Sequence, residues 1–278
     1  MNFFDNKKVV IATMHKKEAV INKLFKENFN IDSFVPHDFN TDIFGTFTRD
    51  IKRDGDQLET ARKKALAALE ITGADIAIAS EGSFSPDRTI PFVSSNLELV
   101  LLIDKERGIE VRGHARTSIT NHAHKMVSSL EEVISFAKEV GFPDHGLIVR
   151  KSETSKKMYK EIKTWEELET ISKKLFSGFF TKNIFIETDM RAHRNPTRMN
   201  AIREATLDLI KNIKSTCPKC NTVGYSKTKF IRGLPCSGCG LETDTPGTFL
   251  YECQKCDMKE EKKEKDFASP SECSFCNP

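Results

Sequence analysis

The sequence predicts an α/β protein, with a mixed sheet covered by helices and a small C-terminal double zinc-ribbon module. Three observations predict it. Apolar runs of strand length alternate with helical patterns over the first 214 residues, the signature of a sheet packed against helices. All eight cysteines lie between Cys217 and Cys276. They form four C-x-x-C pairs, the spacing that aims two sulfurs at one ion.

The elements follow in order. Lys8 to Thr13 reads as a strand and Ala19 to Phe29 as a helix. Asp56 to Ile71, rich in Ala, Leu, Lys and Arg, reads as a second helix. Asp75 to Ser80 is a buried strand, and Leu97 to Asp104 with Ile109 to Arg116 form a hairpin around Arg107-Gly108. Ser129 with Glu132 three residues later opens a helix to Val140. His145 to Arg150 and Asn183 to Ile186 are strands, and Trp165 to Phe176 and Pro196 to Ile213 are helices. The longest apolar stretches, Val9 to Ala12 and Leu99 to Ile103, fall far short of the ~20 residues a membrane helix needs. The segment after Lys7 and Lys8 is too short for a secretory signal, so the expected location is the cytoplasm.

The cysteines set a composition boundary near residues 214–216, giving an α/β domain over 1–214 and a ribbon module over 215–278. The pairs are Cys217/Cys220, Cys236/Cys239, Cys253/Cys256 and Cys273/Cys276, enough for two structural zinc ions. Asn221, Gly240, Asp257 and Asn277 follow the pairs, residue types that tolerate the positive φ of a knuckle turn. A disulfide scaffold is disfavoured in a chain without an export signal. Adjacent pairing, first with second and third with fourth, closes the shortest loops and is the expected arrangement; a nested pairing of the second and third is the alternative. Lys259 to Lys265 reads as a solvated hairpin tip. Nine cations and nine carboxylates cancel in this tail, so eight thiolates with two Zn²⁺ leave it near −4. That balance, like the whole-chain charge of +3, disfavours a broad phosphate-gripping surface.

Three apolar strands stop in polar clusters: Thr13 to Glu18, Ser80 to Ser83, and Glu187 to His193. In open α/β sheets the carboxyl ends of strands line the ligand crevice. Alternation along an extended chain sends Glu187, Asp189 and Arg191 to one side. Asn195 then caps a helix that begins with Pro196, whose free N–H groups favour an anion, with Arg191, Arg194 and Arg198 beside it. Glu81, Glu187 and Asp189 are the candidate ligands of a Mg²⁺ ion. Lys16, Lys17, Lys64, Arg191, Arg194 and Arg198 are the candidate phosphate contacts, and Glu59, His15 and His193 complete the candidate acid–base set. His122 and His124 are too few to define a further metal site.

Several long motifs are familiar: Ile78 to Phe84, Gly141 to Gly146, Glu187 to Met199, Gly233 to Cys236, and the final Cys276-Asn277-Pro278. Together they resemble an uncharacterised bacterial protein family that ends in paired zinc ribbons. In the first half, Ala12-Thr13, then Gly55 to Ala65 with Glu59 and Lys64, then Ala74-Asp75 leading into Ser80-Glu81-Gly82, are similar in order to the motifs of inosine triphosphate pyrophosphatases and related nucleotide hydrolases. That resemblance implies a Mg²⁺-dependent α/β enzyme cutting nucleoside triphosphates. Where those enzymes carry Asn and then Lys after the first strand, this chain has His15 and Glu18, with Lys16 and Lys17 as substitutes.

The expected function is a Mg²⁺-dependent hydrolase of a nucleotide or other small phosphorylated substrate, with a structural zinc tail. The alternative is a noncatalytic adaptor whose ribbons bind nucleic acid or protein, with Tyr225, Phe230, Phe249 and Tyr251 able to stack on bases.

Overall fold

The computed structural model describes residues 3–37, 39–44, 55–86, 92–178 and 181–278. The first sheet has five strands: β1 (Val9–Ala12), β2 (Ser33–Phe34), β3 (Ile76–Pro86), β4 (Ser94–Asp104) and β5 (Ile109–Thr117). Their spatial order is β2-β1-β3-β4-β5, with β1 parallel to both neighbours and the last three strands antiparallel. The sheet is therefore mixed, as the sequence predicts. Helices α1 (Glu18–Phe29) and α5 (Pro196–Lys214) cover one face, burying Ile21, Phe25, Ile202 and Leu209 against Ile11, Ile78, Val100 and Leu102. Helix α2 (Gln57–Thr72) covers the other, where Ala61, Ala65 and Ala68 sit on Val10, Ala77, Ala79 and Leu101. Small residues on this helix permit close approach. Gly113 does the same for α5, because a methyl group there would lie 2.2 Å from the Ala205 carbonyl oxygen.

Between β5 and α5 the chain builds a second sheet from β6 (His124–Val127), β7 (Leu147–Arg150), β8 (Met158–Tyr159) and β9 (Ile184–Thr188), in the order β6-β9-β7-β8 and wholly antiparallel. Helices α3 (Leu130–Glu139) and α4 (Trp165–Phe176) cover one face of it, over Val127, Leu147, Val149, Ile184 and Ile186. Caps mark the helix starts as expected. Ser129 accepts from the Glu132 amide, Asp56/Glu59 and Thr164/Glu167 close capping boxes, and Asn195 accepts from the Arg198 amide with Pro196 next in line. No helix among the described residues is long and apolar enough to cross a membrane.

The ribbon is a three-stranded antiparallel meander of β10 (Ser226–Ile231), β11 (Thr248–Glu252) and β12 (Lys259–Lys263). It docks on the outer edge of β5. The Gln254 side-chain amide accepts from the Glu110 N–H (2.9 Å) and donates to its carbonyl (2.6 Å), imitating a neighbouring strand. Asn212 donates to the Arg112 carbonyl (2.7 Å), and the His114 N–H donates to Asp208 (2.9 Å). These side chains occupy edge groups that another strand would otherwise pair.

Several expectations are corrected. Strand β3 does not stop at Ser80; it runs to Pro86 because β4 pairs with it residue by residue, Glu81 facing Leu99 and Gly82 facing Glu98. The charge run from Lys259 is mostly strand β12, paired with β11 in register, so it is no hairpin tip. Positive φ occurs after the first two cysteine pairs, at Asn221 and Gly240, but not at Asp257 or Asn277.

Candidate functional site

The cysteines gather in an order that neither expected pairing gives. Cys217, Cys220, Cys253 and Cys256 form one group, and Cys236, Cys239, Cys273 and Cys276 the other, so first pairs with third and second with fourth. The meander explains the interleaving: β10 and β11 run antiparallel with Ser226 opposite Glu252, which returns the third pair to the first, while β12 runs back toward the far end. Strand pairing outweighs the slight entropic advantage of shorter loops. Sulfur separations include 3.7 Å (Cys217–Cys256) and 3.5 Å (Cys220–Cys253) in the first group, and 3.8 Å (Cys236–Cys276) and 3.6 Å (Cys239–Cys273) in the second. A tetrahedron of thiolates about 2.3 Å from zinc has edges near 3.8 Å, so both sets fit the ion. The bare sulfurs are electrostatically uneven. The Thr222 hydroxyl pulls Cys220 down to about 6, whereas the bond to Cys239 helps push Cys276 up to about 12. A divalent cation is what lets all four ionise together.

A second concentration of charge lies where β1 ends. Pairing of β1 with β3 stops at Ala12–Ala79, and the next β3 residues meet the loop that leads into α1. Lys16 turns that loop at φ 57° and leaves its own side chain exposed. Lys17 is turned inward and only 6% exposed; its Nζ donates to the Ser80 hydroxyl (3.0 Å) and the Ser80 carbonyl (3.3 Å). On the α2 face, Lys64 pairs with Glu81, and Gln57 donates to the Glu81 carbonyl (2.6 Å). On the α5 face, the Arg198 Nε donates to Glu98 (2.7 Å) and its Nη1 to the Met190 carbonyl (2.6 Å). Gly82 makes room for this pair, since a methyl group there would lie 2.3 Å from Glu98 Oε1. All five of these charged side chains are buried.

Burial is the main force on Lys17 and pushes its ammonium down to about 7; the fields of Arg198 and Lys64 add to the effect, and Glu98 and Glu81 oppose it. The unfolded chain holds that proton up to the ordinary lysine range near 10.5. Stability at this residue is therefore depressed below pH 7 and recovers as pH rises from 7 toward 10.5. The stability of the parent relative to Lys17→Met is expected to improve by on the order of 3 kcal/mol between pH 7 and pH 10, at 1.36 kcal/mol per pKa unit. Paired denaturant titrations check it, and a flat difference contradicts it.

The expected Mg²⁺ cage does not assemble. Among the described residues, only the two cysteine groups bring three or more potential ligand atoms within 4.8 Å of one another. Glu81 takes Lys64, Glu187 takes Arg150, and Asp189 takes both the backbone N–H (3.0 Å) and the guanidinium (2.5 Å) of Arg191. Each carboxylate has its own cation, which is a poor donor set for a hard divalent ion. Glu59 is exposed and spent on the α2 cap. Arg194 donates to the Ile162 carbonyl (2.6 Å), which ties the turn before α5 to the second sheet's lobe.

The two candidate histidines do meet. The His15 and His193 rings stack at 5.3 Å, and Glu161 contacts both His193 Nε2 (3.2 Å) and Arg191 (2.7 Å). Burial raises the Glu161 pKa, but His193 and Arg191 outweigh it and hold the carboxyl below its usual range. His122 and His124 join a ring ladder instead of a metal site, with Phe84 stacked on His122 (5.5 Å) and His124 on Phe185 (5.6 Å). Glu98, Ser80 and Glu161 are absent from the sequence-based set. A glutamate alternating with leucines in Asn96-Leu97-Glu98-Leu99 was the available signal for the first; nothing in the sequence marks Glu161.

Fold and sites together define a class: a mixed α/β protein with a buried charge centre at a strand end and a tail carrying two interleaved Cys₄ groups able to hold zinc. The chain belongs to the family described as Domain of unknown function (DUF6671), whose match covers residues 64–278. That span begins in α2 at Lys64 and includes Glu81, Glu98, Arg198 and all eight cysteines. No curated protein matches the chain.

Proposed function

We propose that this protein hydrolyses a phosphate ester or anhydride of a small molecule, a nucleotide being the first to try, at the carboxyl end of β1 beside β3. The ribbon then serves as a metal-stapled structural tail. The observation that carries this reading is the buried charge. Among the described residues, Lys17, Lys64 and Arg198 outnumber Glu81 and Glu98, a formal excess of one positive charge out of water when Lys17 is protonated. An anion relieves that excess, and a phosphoryl group gathering negative charge in its transition state relieves it most. The location supports it too, because β1 feeds α1 on one face while β3 is reached through α2 on the other, the kind of crossover point where open sheets bind ligands. The likeness in motif order to nucleotide pyrophosphatases, read from the sequence, is the reason to try a nucleotide first. No step here runs through protein-held Mg²⁺, since the carboxylates proposed for it are engaged by cations.

The test is release of phosphate or pyrophosphate from a panel of nucleotides and phosphomonoesters, each with and without added Mg²⁺. The double variant Lys64→Met/Glu81→Gln removes a buried pair together and preserves the fold better than either change alone. It is expected to lower kcat/KM at least 100-fold, the usual scale for losing a charge-stabilising group. Absence of release from every compound, with salt-sensitive polynucleotide binding instead, overturns the proposal in favour of an adaptor. Of the four aromatics named for base stacking, Tyr225 is buried, Phe249 and Tyr251 are half-buried, and Phe230, 53% exposed, is the one such an adaptor would use most readily.

A further inference from the structure

We infer that Ser80 is a nucleophile and Lys17 its general base, so that hydrolysis in this centre passes through a covalent phosphoseryl enzyme. This rests on the proposed hydrolase reading and adds to it the attacking atom. Four observations support the assignment. Lys17 Nζ lies 3.0 Å from Ser80 Oγ, within the reach expected of a base and the hydroxyl it deprotonates. The second bond, to the Ser80 carbonyl at 3.3 Å, ties the amine to the backbone of the residue it serves, so one hydrogen anchors it while its lone pair can turn to the hydroxyl. Ser80 lies within β3, as the first residue beyond its last β1 partner, and so flanks the carboxyl end of β1, where a ligand is expected. Both side chains are also buried, at 3% and 6% exposure, in a setting that disfavours the ammonium form.

Among the described residues, the charged groups acting on Lys17 include Arg198 from α5, Glu98 from β4, Glu81 from β3 and Lys64 from α2. Burial first, and then the two cations, keep its proton affinity low, and the two acids limit the effect, placing the amine at about 7, where a base both accepts and returns a proton. Serine–lysine pairs are a known variant of the serine–histidine arrangement.

The chemistry balances with water alone. The Ser80 Oγ–H bond breaks as Oγ attacks phosphorus, and the proton passes to Lys17 Nζ. The bond from phosphorus to the leaving oxygen breaks, and that oxygen takes the proton from Lys17. Water then attacks the phosphoserine, giving its proton to Lys17, and Ser80 Oγ departs and recovers it. Arg198, on the same face of β3 as Ser80, would oppose charge on the phosphoryl oxygens during both displacements.

The test uses the entire 278-residue chain, loaded with zinc, and a fluorophosphonate probe, which phosphonylates activated serines with loss of fluoride. Mass spectrometry is expected to find the adduct on Ser80, forming at a rate that rises through a midpoint near pH 7. Lys17→Met is expected to slow labelling at least 100-fold, and Ser80→Ala to abolish it, both with unchanged circular dichroism. Ser83→Ala, a half-buried serine bonded to Gln57, is expected to label like the parent. No adduct on Ser80 in the folded chain, or one whose rate ignores both pH and Lys17→Met, overturns the inference. Phosphate release that survives Ser80→Ala also overturns the nucleophile while leaving the hydrolase standing. Labelling of Ser80 without release from any phosphorylated compound keeps the nucleophile and removes the phosphate reading.

Discussion

Stripping zinc is expected to unfold residues 215–278 while the α/β body stays folded. Apart from its cysteines, the tail buries only Tyr225, Leu234 and Ala268 among its hydrophobic residues. Full burial of a large apolar side chain contributes about 1.5–3 kcal/mol, whereas fixing each backbone residue costs roughly 1–2 kcal/mol. Over a segment of this length the deficit is large, and metal held by the two cysteine groups would supply it; structural zinc in small fingers contributes about 10–16 kcal/mol. Metal analysis is expected to give two zinc ions per chain, and chelation to erase hydrogen-exchange protection in β10, β11 and β12 while sparing β3 and β4. Cys236→Ser separates the pairings. Interleaving requires one zinc to remain and only Cys239, Cys273 and Cys276 to become open to alkylation. Exposure of Cys217 and Cys220 in that variant instead would mean that the knuckles pair as neighbours.

Arg198→Met is expected to cost about 3–5 kcal/mol, the usual penalty for leaving one member of a buried ion pair alone. Arg198 is 2% exposed and its partner Glu98 is wholly buried. The same guanidinium holds the Met190 carbonyl, so its loss also loosens the turn between β9 and α5. Adding Glu98→Gln is expected to recover at least 1 kcal/mol, because the neutral amide no longer carries an unpaired charge. Denaturant unfolding of the parent, both single variants and the double variant provides the cycle. Strict additivity would show that Glu98 and Arg198 do not depend on one another.

Much of the architecture is readable from short-range chemistry. Ser129 and Asn195 announce their helices because a capping oxygen and the N–H groups it serves are neighbours in sequence. The long apolar strands announce themselves by run length. What escapes is whatever depends on a partner distant in the chain. Polar Ser80-Glu81-Gly82 looks like a loop until β4 pairs with it and Lys64 neutralises Glu81. Strands as short as β2 and β8 carry too few residues for any pattern to show. The same reason governs the site. Lys17, Lys64, Glu81 and Arg198 stand out locally, but their arrangement on opposite faces of β3 comes from strand alternation, which also parts Glu81 from the acids of β9. The cysteine count identified the ribbon, and loop entropy alone was too weak to name the pairs.

Gln254 sits between Cys253 and Cys256, inside a knuckle of the first cysteine group, and from there covers the Glu110 backbone on β5. Metal supply is thereby expected to govern colloidal behaviour. A chain starved of zinc loses this plug and bares part of an unsatisfied strand margin, a template on which a second molecule can add. Zinc depletion would then show itself as self-association before any collapse of the α/β body.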